Sequence, residues 1–263
     1  MGMFRIAVPP AVERTALIVS VALLAAGAWL ALWLGENSAS AFLNHQHHLG
    51  HLGTPSALFV LIFIGGWTVM TVAMMLPTSL PILTAFQTLA RERADRVFLL
   101  ALVVAGYLLT WILFGAVVYL AYLLLQHLMT SSAWLQRYAW AGTPALLLLA
   151  GAFQFSSLKY RCLDKCRSPL IFVLEHWQGR RHRWQAFRLG VDHGIFCVGC
   201  CWALMLLMFA VGVGSSVAWM FVLAVVMGVE KNVSWGRRMS APVGVVLIGW
   251  GAVLLALAGY PWL

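Results

Sequence analysis

Charge is scarce in this chain. Only 10% of its 263 residues are Asp, Glu, Lys or Arg, and only 8 are acidic. A water-soluble domain carries about 25% charged residues, so a solvated globular surface is excluded. Beyond Glu230 no acid–base pair stands out, and there is no glycine-rich phosphate loop and no nucleophile with a partnered base. Nucleotide-binding and hydrolytic enzymes of the familiar kinds are therefore not indicated. No solenoid-type repeat or low-complexity segment occurs. The five cysteines are too few and too clustered for a disulfide framework, and their odd number leaves at least one thiol unpaired.

What is present is apolar. Hydrophobic residues make up 62% of the chain, and the mean hydropathy is +0.89. With 13 Trp and 6 Tyr available to sit at two lipid–water interfaces, the chain reads as an integral membrane protein. Apolar runs define about seven spans, at 15–35, 57–83, 97–125, 144–158, 189–213, 216–229 and 242–260. They give one all-α, polytopic transmembrane domain over residues 1–263, with a basic loop at 159–188. The first run has the length of about 20 residues that a span needs. It exceeds a signal-peptide core of about 7–15 residues, so it is expected to be a retained helix, although Ser38-Ala39-Ser40 resembles a cleavage site. Pro77 and Pro81 should kink or break the inner end of the second span, and Pro144 suits the first turn of the fourth.

Alternate loops of such a bundle face opposite sides. Sixteen of the 17 Lys and Arg fall on one side, in the N-terminal segment and at 91–96, 159–188 and 231–238, against Arg137 on the other. The positive-inside rule then predicts a cytoplasmic N-terminus and an external C-terminus. The net charge of +9 is explained by cytosol and anionic headgroups, and nothing else points to nucleic acid.

The fifth span holds three of the five cysteines. At about 100° per residue, His193, Cys197, Cys200, Cys201, Met205 and Met208 fall within an arc of about 140°. One helix face thus carries an imidazole, three thiols and two thioethers, the soft donors that suit Cu(I), zinc or an iron–sulfur centre. On the second span Phe63, Trp67, Met70, Met74, Pro77 and Pro81 share a face, with Met75 off to the side. If the two spans are neighbours, Met70, Met74, Cys197, Cys200, Cys201 and Met205 form a mixed thiolate–thioether site in the inner leaflet. Packing is the competing account, since Met fills gaps in helix bundles and small residues let helices approach.

Three further groups stand out. Cys162 and Cys166, one helical turn apart, could join the Cys197–Cys200 pair in a four-cysteine site of zinc type. Lys159, Arg161, Lys165 and Arg167 nearby favour thiolates, and a reducing cytosol opposes a disulfide. His45, His47, His48 and His51 could gather Cu(II), Ni or Zn on the external side, or form a plain polar loop. Glu230, Asp192 and His193 could be hard ligands or proton carriers, with Glu230 and Lys231 as a structural ion pair in the alternative.

Three segments carry a resemblance: Gly66-Trp67 with Met70, Met74-Met75, Pro77 and Pro81; Gln154 with Leu158-Lys159, Cys162-Leu163 and Cys166-Arg167-Ser168-Pro169; and His193-Gly194 with Cys197-Val198-Gly199-Cys200-Cys201-Trp202, Leu204-Met205 and Glu230-Lys231. In these the chain resembles a family of uncharacterised bacterial multi-pass membrane proteins described as predicted metal-binding integral membrane proteins. Ser157 stands where that family's proline is expected. The resemblance implies metal binding and a bacterial inner (cytoplasmic) membrane, but no reaction.

The favoured expectation is a non-enzymatic membrane protein that handles copper, with zinc as the alternative metal, by binding, delivery or transport. Its expected ligands include Met70, Met74, Cys162, Cys166, His193, Cys197, Cys200, Cys201, Met205 and Glu230. A client metalloenzyme or a larger membrane complex is the expected partner besides the lipid bilayer. The alternatives are an accessory or assembly subunit with structural cysteines, and a thiol oxidoreductase using Cys197 and Cys200.

Overall fold

The structure, a computed structural model, describes residues 11–49, 57–177, 181–210 and 217–258, with side chains described for all of these except 11, 36–49, 209, 210 and 258. Helix is the only regular structure among them: α1 Ala11–Leu49, α2 Ala57–Met74, α3 Leu80–Leu89, α4 Arg96–Ser131, α5 Ala133–Arg137, α6 Gly142–Phe153, α7 Ser157–Cys166, α8 Pro169–His176, α9 His182–Ala210, α10 Val217–Asn232 and α11 Ser240–Ala258. The chain is an all-α polytopic bundle. Five helical segments among the described residues are long and apolar enough to cross a membrane, or six if α6 and α7, with the short turn before them, count as one bent span. The sequence-based total of seven included the segment at 216–229, whose helix α10 has 16 residues, short of the 20 or so that cross a bilayer unaided.

The second expected span does not run on to Leu83. It ends at Met74, where the Met75 and Leu76 amides both donate to the Thr71 carbonyl, at 2.8 and 3.2 Å. Pro77 lacks an N–H and begins a 3₁₀ turn, Pro77–Ser79, and Pro81 then falls in the first turn of α3. The prolines thus start new elements rather than bend an old one. The break leaves the Met75 carbonyl free of the helical ladder. It accepts instead from Thr78 Oγ1 at 2.8 Å, Ser79 Oγ at 3.3 Å and the Tyr107 hydroxyl at 3.3 Å. Irregular backbone at this depth is tolerable because protein groups satisfy it.

A second break follows α6. The chain turns through 63° between the two segments, and Ser156 caps α7 by accepting the Lys159 amide at 3.1 Å. The expected basic loop at 159–188 is largely helical: α7, then α8 opened by Pro169, then the start of α9. Cationic side chains mask this in the sequence, although Lys159, Cys162, Leu163, Phe172 and Val173 are buried. α1 likewise continues past its apolar run to Leu49. The side chains of His45, His47 and His48, and all of His51, lie outside the described residues.

α9 lies at the centre, packed along α4 and flanked by α6 and α7. Glycine permits the α4–α9 crossing. A Cβ on Gly106 would strike the Phe187 carbonyl, and one on Gly190 would strike the Val103 carbonyl, so the two backbones meet as small-residue membrane crossings do. Thr110 Oγ1 adds a bond across the crossing to the Val191 carbonyl at 3.3 Å. The consequence is positional: Tyr107 on α4 is brought over the cysteine face of α9. At the basic ends of the helices, Arg96 pairs with Glu13 at 2.9 Å and Arg237 with Asp164 at 3.3 Å. In the turn before α4, the Arg93 guanidinium bonds Asp95 and holds its carboxyl below the usual carboxylate range.

Candidate metal centre

The cysteine face of α9 turns inward as its periodicity predicts. His193, Cys197, Cys200, Cys201, Met205 and Met208 are all buried. Within the helix, the Cys200 and Cys201 thiols donate to the Cys197 carbonyl at 3.1 and 2.9 Å. Three elements close over the face. From the break after α2 comes Met75, whose thioether sulfur lies 3.7 Å from Cys201 Sγ. From α4 comes Tyr107, with its hydroxyl 3.1 Å from Cys197 Sγ. From the end of α10 comes Lys231.

Lys231 sits among the sulfurs. Its Nζ donates to Cys197 Sγ at 2.9 Å, Thr78 Oγ1 at 3.4 Å, Met75 Sδ at 3.5 Å and Cys201 Sγ at 3.8 Å. It is only 6% exposed. Cys197, Cys201 and Met75 therefore surround one small volume that already receives a cation. Thiol and thioether donors buried from the surface suit a soft ion of low coordination number better than a hard one.

A second thiol group adjoins the first. Cys166 on α7 lies next to Cys200, whose thiol donates to the Cys197 carbonyl. Cys162 packs on Gly199, where an added Cβ would come 2.6 Å from its sulfur. A line of sulfur thus leads from α7 through Cys200 to the Lys231 pocket. All five cysteines are free thiols. Among the described residues no three His, Cys, Asp or Glu side chains converge to hold a metal ion together. The expected four-cysteine zinc site is therefore not assembled among the described residues, and Cys197 instead meets Tyr107 and Lys231.

The remaining expected ligands are placed elsewhere. Glu230 points away from the sulfurs: its carboxylate takes the Lys159 ammonium at 2.7 and 2.8 Å and the Ser240 hydroxyl at 2.8 Å. Lys159 also bonds the Gln154 side-chain carbonyl. Arg167 secures the same end of α10 by donating to the carbonyls of Glu230, Val233 and Ser234 at 2.6–2.7 Å. Glu230 is thus a structural ion-pair residue, and its partner is Lys159 rather than the neighbouring Lys231. His193 Nε2 lies 3.3 Å from Ser79 Oγ, and its ring stacks on Tyr107. Asp192 pairs with His176 and Arg188. Met70 and Met74 are buried in the core, but the thioether that meets the cysteines is that of Met75.

Met75, Tyr107 and Lys231 are the site residues that spacing alone did not assign. The helical wheel sets Met75 off to the side of the Met70 and Met74 face, and that side is the one that meets Cys201. Lys231 follows Glu230 directly, so the two side chains of a helix must point apart. That much was present in the sequence.

A model of the PpoB2 family, described as a copper chaperone, matches residues 64–254. The match takes in the α2 break, Tyr107, α7, the cysteine face of α9 and Lys231. No curated protein and no solved structure matches the chain.

Proposed function

Because this chain belongs to the PpoB2 copper-chaperone family, we propose that it binds Cu(I) inside the membrane and delivers it to a client copper protein, without catalysing a reaction of its own. Cys197 and Cys201 are the thiolate ligands and Met75 the thioether. The observation that carries this reading is the approach of Met75 Sδ to Cys201 Sγ at 3.7 Å, beside Cys197, in a buried pocket. The two thiols come from α9 and the thioether from the segment that follows α2, so the donors converge from two elements. The arrangement favours a ligand set over chance packing.

Cys200 and Cys166 serve in handover. Their proximity continues the sulfur line from the pocket to α7, so an ion can pass from one thiol set to the next without leaving soft ligands. Copper is the cargo here, held and released. In this reading the basic segments at 91–96, 159–188 and 231–238 face the cytosol, with α10 crossing as a short, packed helix that brings Arg237 to Asp164, the protein in a bacterial cytoplasmic membrane and the pocket in its inner leaflet. The client docks where α7 ends.

The test is Cu(I) binding by the detergent-purified chain under anaerobic, reducing conditions, in competition with a chromophoric Cu(I) chelator. Wild type should retain one equivalent, and the Cys197→Ser/Cys201→Ser variant none. Equal retention by both, or none by either, overturns the reading.

A further inference from the structure

The groups that receive the buried Lys231 ammonium are two thiols, a thioether and a hydroxyl. The adjacent carboxylate, Glu230, is turned to Lys159 and Ser240. A buried cation normally sits against a carboxylate, because an unbalanced charge in an apolar interior is costly. This one has been kept apart from the available carboxylate and aimed at metal-type ligands instead.

We propose that Lys231 determines the metal selectivity of the pocket by fixing its charge, so that the site admits one soft monovalent cation and rejects a divalent one. The inference rests on the copper-binding reading above. Thiolates are the metal-binding form of cysteine, and each thiol gives up its proton as the metal binds. With Cys197 and Cys201 both as thiolates, the pocket holds two negative charges and the Lys231 ammonium one positive. Cu(I) brings the sum to zero. Zn(II) or Cd(II) leaves an excess positive charge in a buried pocket. Met75 is neutral and changes nothing in this count.

Distance makes the charge effective. Lys231 Nζ is 2.9 Å from Cys197 Sγ and 3.8 Å from Cys201 Sγ, so any ion held between those sulfurs lies within a few ångströms of the ammonium. A divalent ion doubles its attraction to the thiolates as well as its repulsion from the ammonium, but it leaves a net positive charge in a buried site, where uncompensated charge is costly. As the metal takes over the sulfur lone pairs that Lys231 meets, Thr78 Oγ1 at 3.4 Å remains as an acceptor for the ammonium. Of the five thiols, Lys231 donates to those of Cys197 and Cys201 among the described hydrogen bonds, so its charge acts most directly on the pocket.

The experiment loads the purified chain with Cu(I) and competes it with Ag(I), which is soft and monovalent, and with Cd(II), which is soft and thiolate-seeking but divalent. In wild type Ag(I) should displace Cu(I) and Cd(II) should not. In Lys231→Met the preference for Cu(I) over Cd(II) should fall by at least about tenfold, while Lys231→Arg should keep it. Should Lys231→Met fail to fold, Lys231→Gln, which also removes the charge, is read in its place against Lys231→Arg. Displacement of Cu(I) by Cd(II) as readily as by Ag(I), or an unchanged preference in a folded Lys231→Met, overturns the assignment. Failure of wild type to hold Cu(I) at all overturns the copper reading itself.

Discussion

Replacing Lys159 by Met tests whether the buried pair beneath the pocket is what holds its halves together. Lys159 lies on α7, Glu230 on α10 and Ser240 at the start of α11. The pair is 0% and 2% exposed. Lys159→Met preserves length and apolar bulk but leaves the Glu230 carboxylate with the Ser240 hydroxyl alone. Stranding one member of a buried pair costs about 3–5 kcal/mol, whereas replacing both members by apolar groups is often neutral. At roughly 2–4 °C per kcal/mol for a chain of this size, the single variant should lose about 6–20 °C of thermal stability. Lys159→Met/Glu230→Leu should recover most of that loss. The assay is thermal unfolding of wild type, both single variants and the double variant in one detergent. A single variant within about 1 kcal/mol of wild type, or a double variant as unstable as the two singles summed, would refute the reasoning. Because the pair joins the helix of Cys162 and Cys166 to the helix of Lys231, the single variant should also slow copper transfer from the pocket.

Met75→Leu should weaken Cu(I) binding by about tenfold or more, while Met74→Leu should alter stability without altering affinity, since a lost ligand and a lost packing contact read out differently; chelator competition distinguishes them. Gly199→Ala places a Cβ 2.6 Å from the Cys162 sulfur and should cost about 1–3 kcal/mol by overpacking. Displacing Cys162 should also raise its reactivity towards a thiol label, measured site by site by mass spectrometry, and unchanged labelling would show that α7 yields without moving its thiol.

The inward face of α9 was legible because a long uninterrupted helix obeys one periodicity, and every residue placed on that face from His193 to Met208 is buried. The prolines at 77 and 81 likewise announced a break. Which face of the methionine helix meets α9 was not legible: the face of Met70 and Met74 was chosen, and Met75 beside it meets Cys201. The segment from Lys159 to Arg188 looked like a basic loop because eight Lys and Arg residues interrupt its apolar groups. Burial of Lys159 depends on Glu230, 71 residues away, which no local pattern encodes. The same long-range pairing frees Lys231 from Glu230 and sends it to the sulfurs. Sequence thus located the soft donors, and tertiary pairing decided which of them share a pocket.

X-ray absorption at the copper edge of the Cu(I)-loaded protein tests the central claim most directly. The account predicts a first shell of sulfur alone, one sulfur poorer in Met75→Leu and absent from Cys197→Ser/Cys201→Ser. A shell of nitrogen or oxygen donors, or a sulfur shell that survives loss of both cysteines, would contradict it.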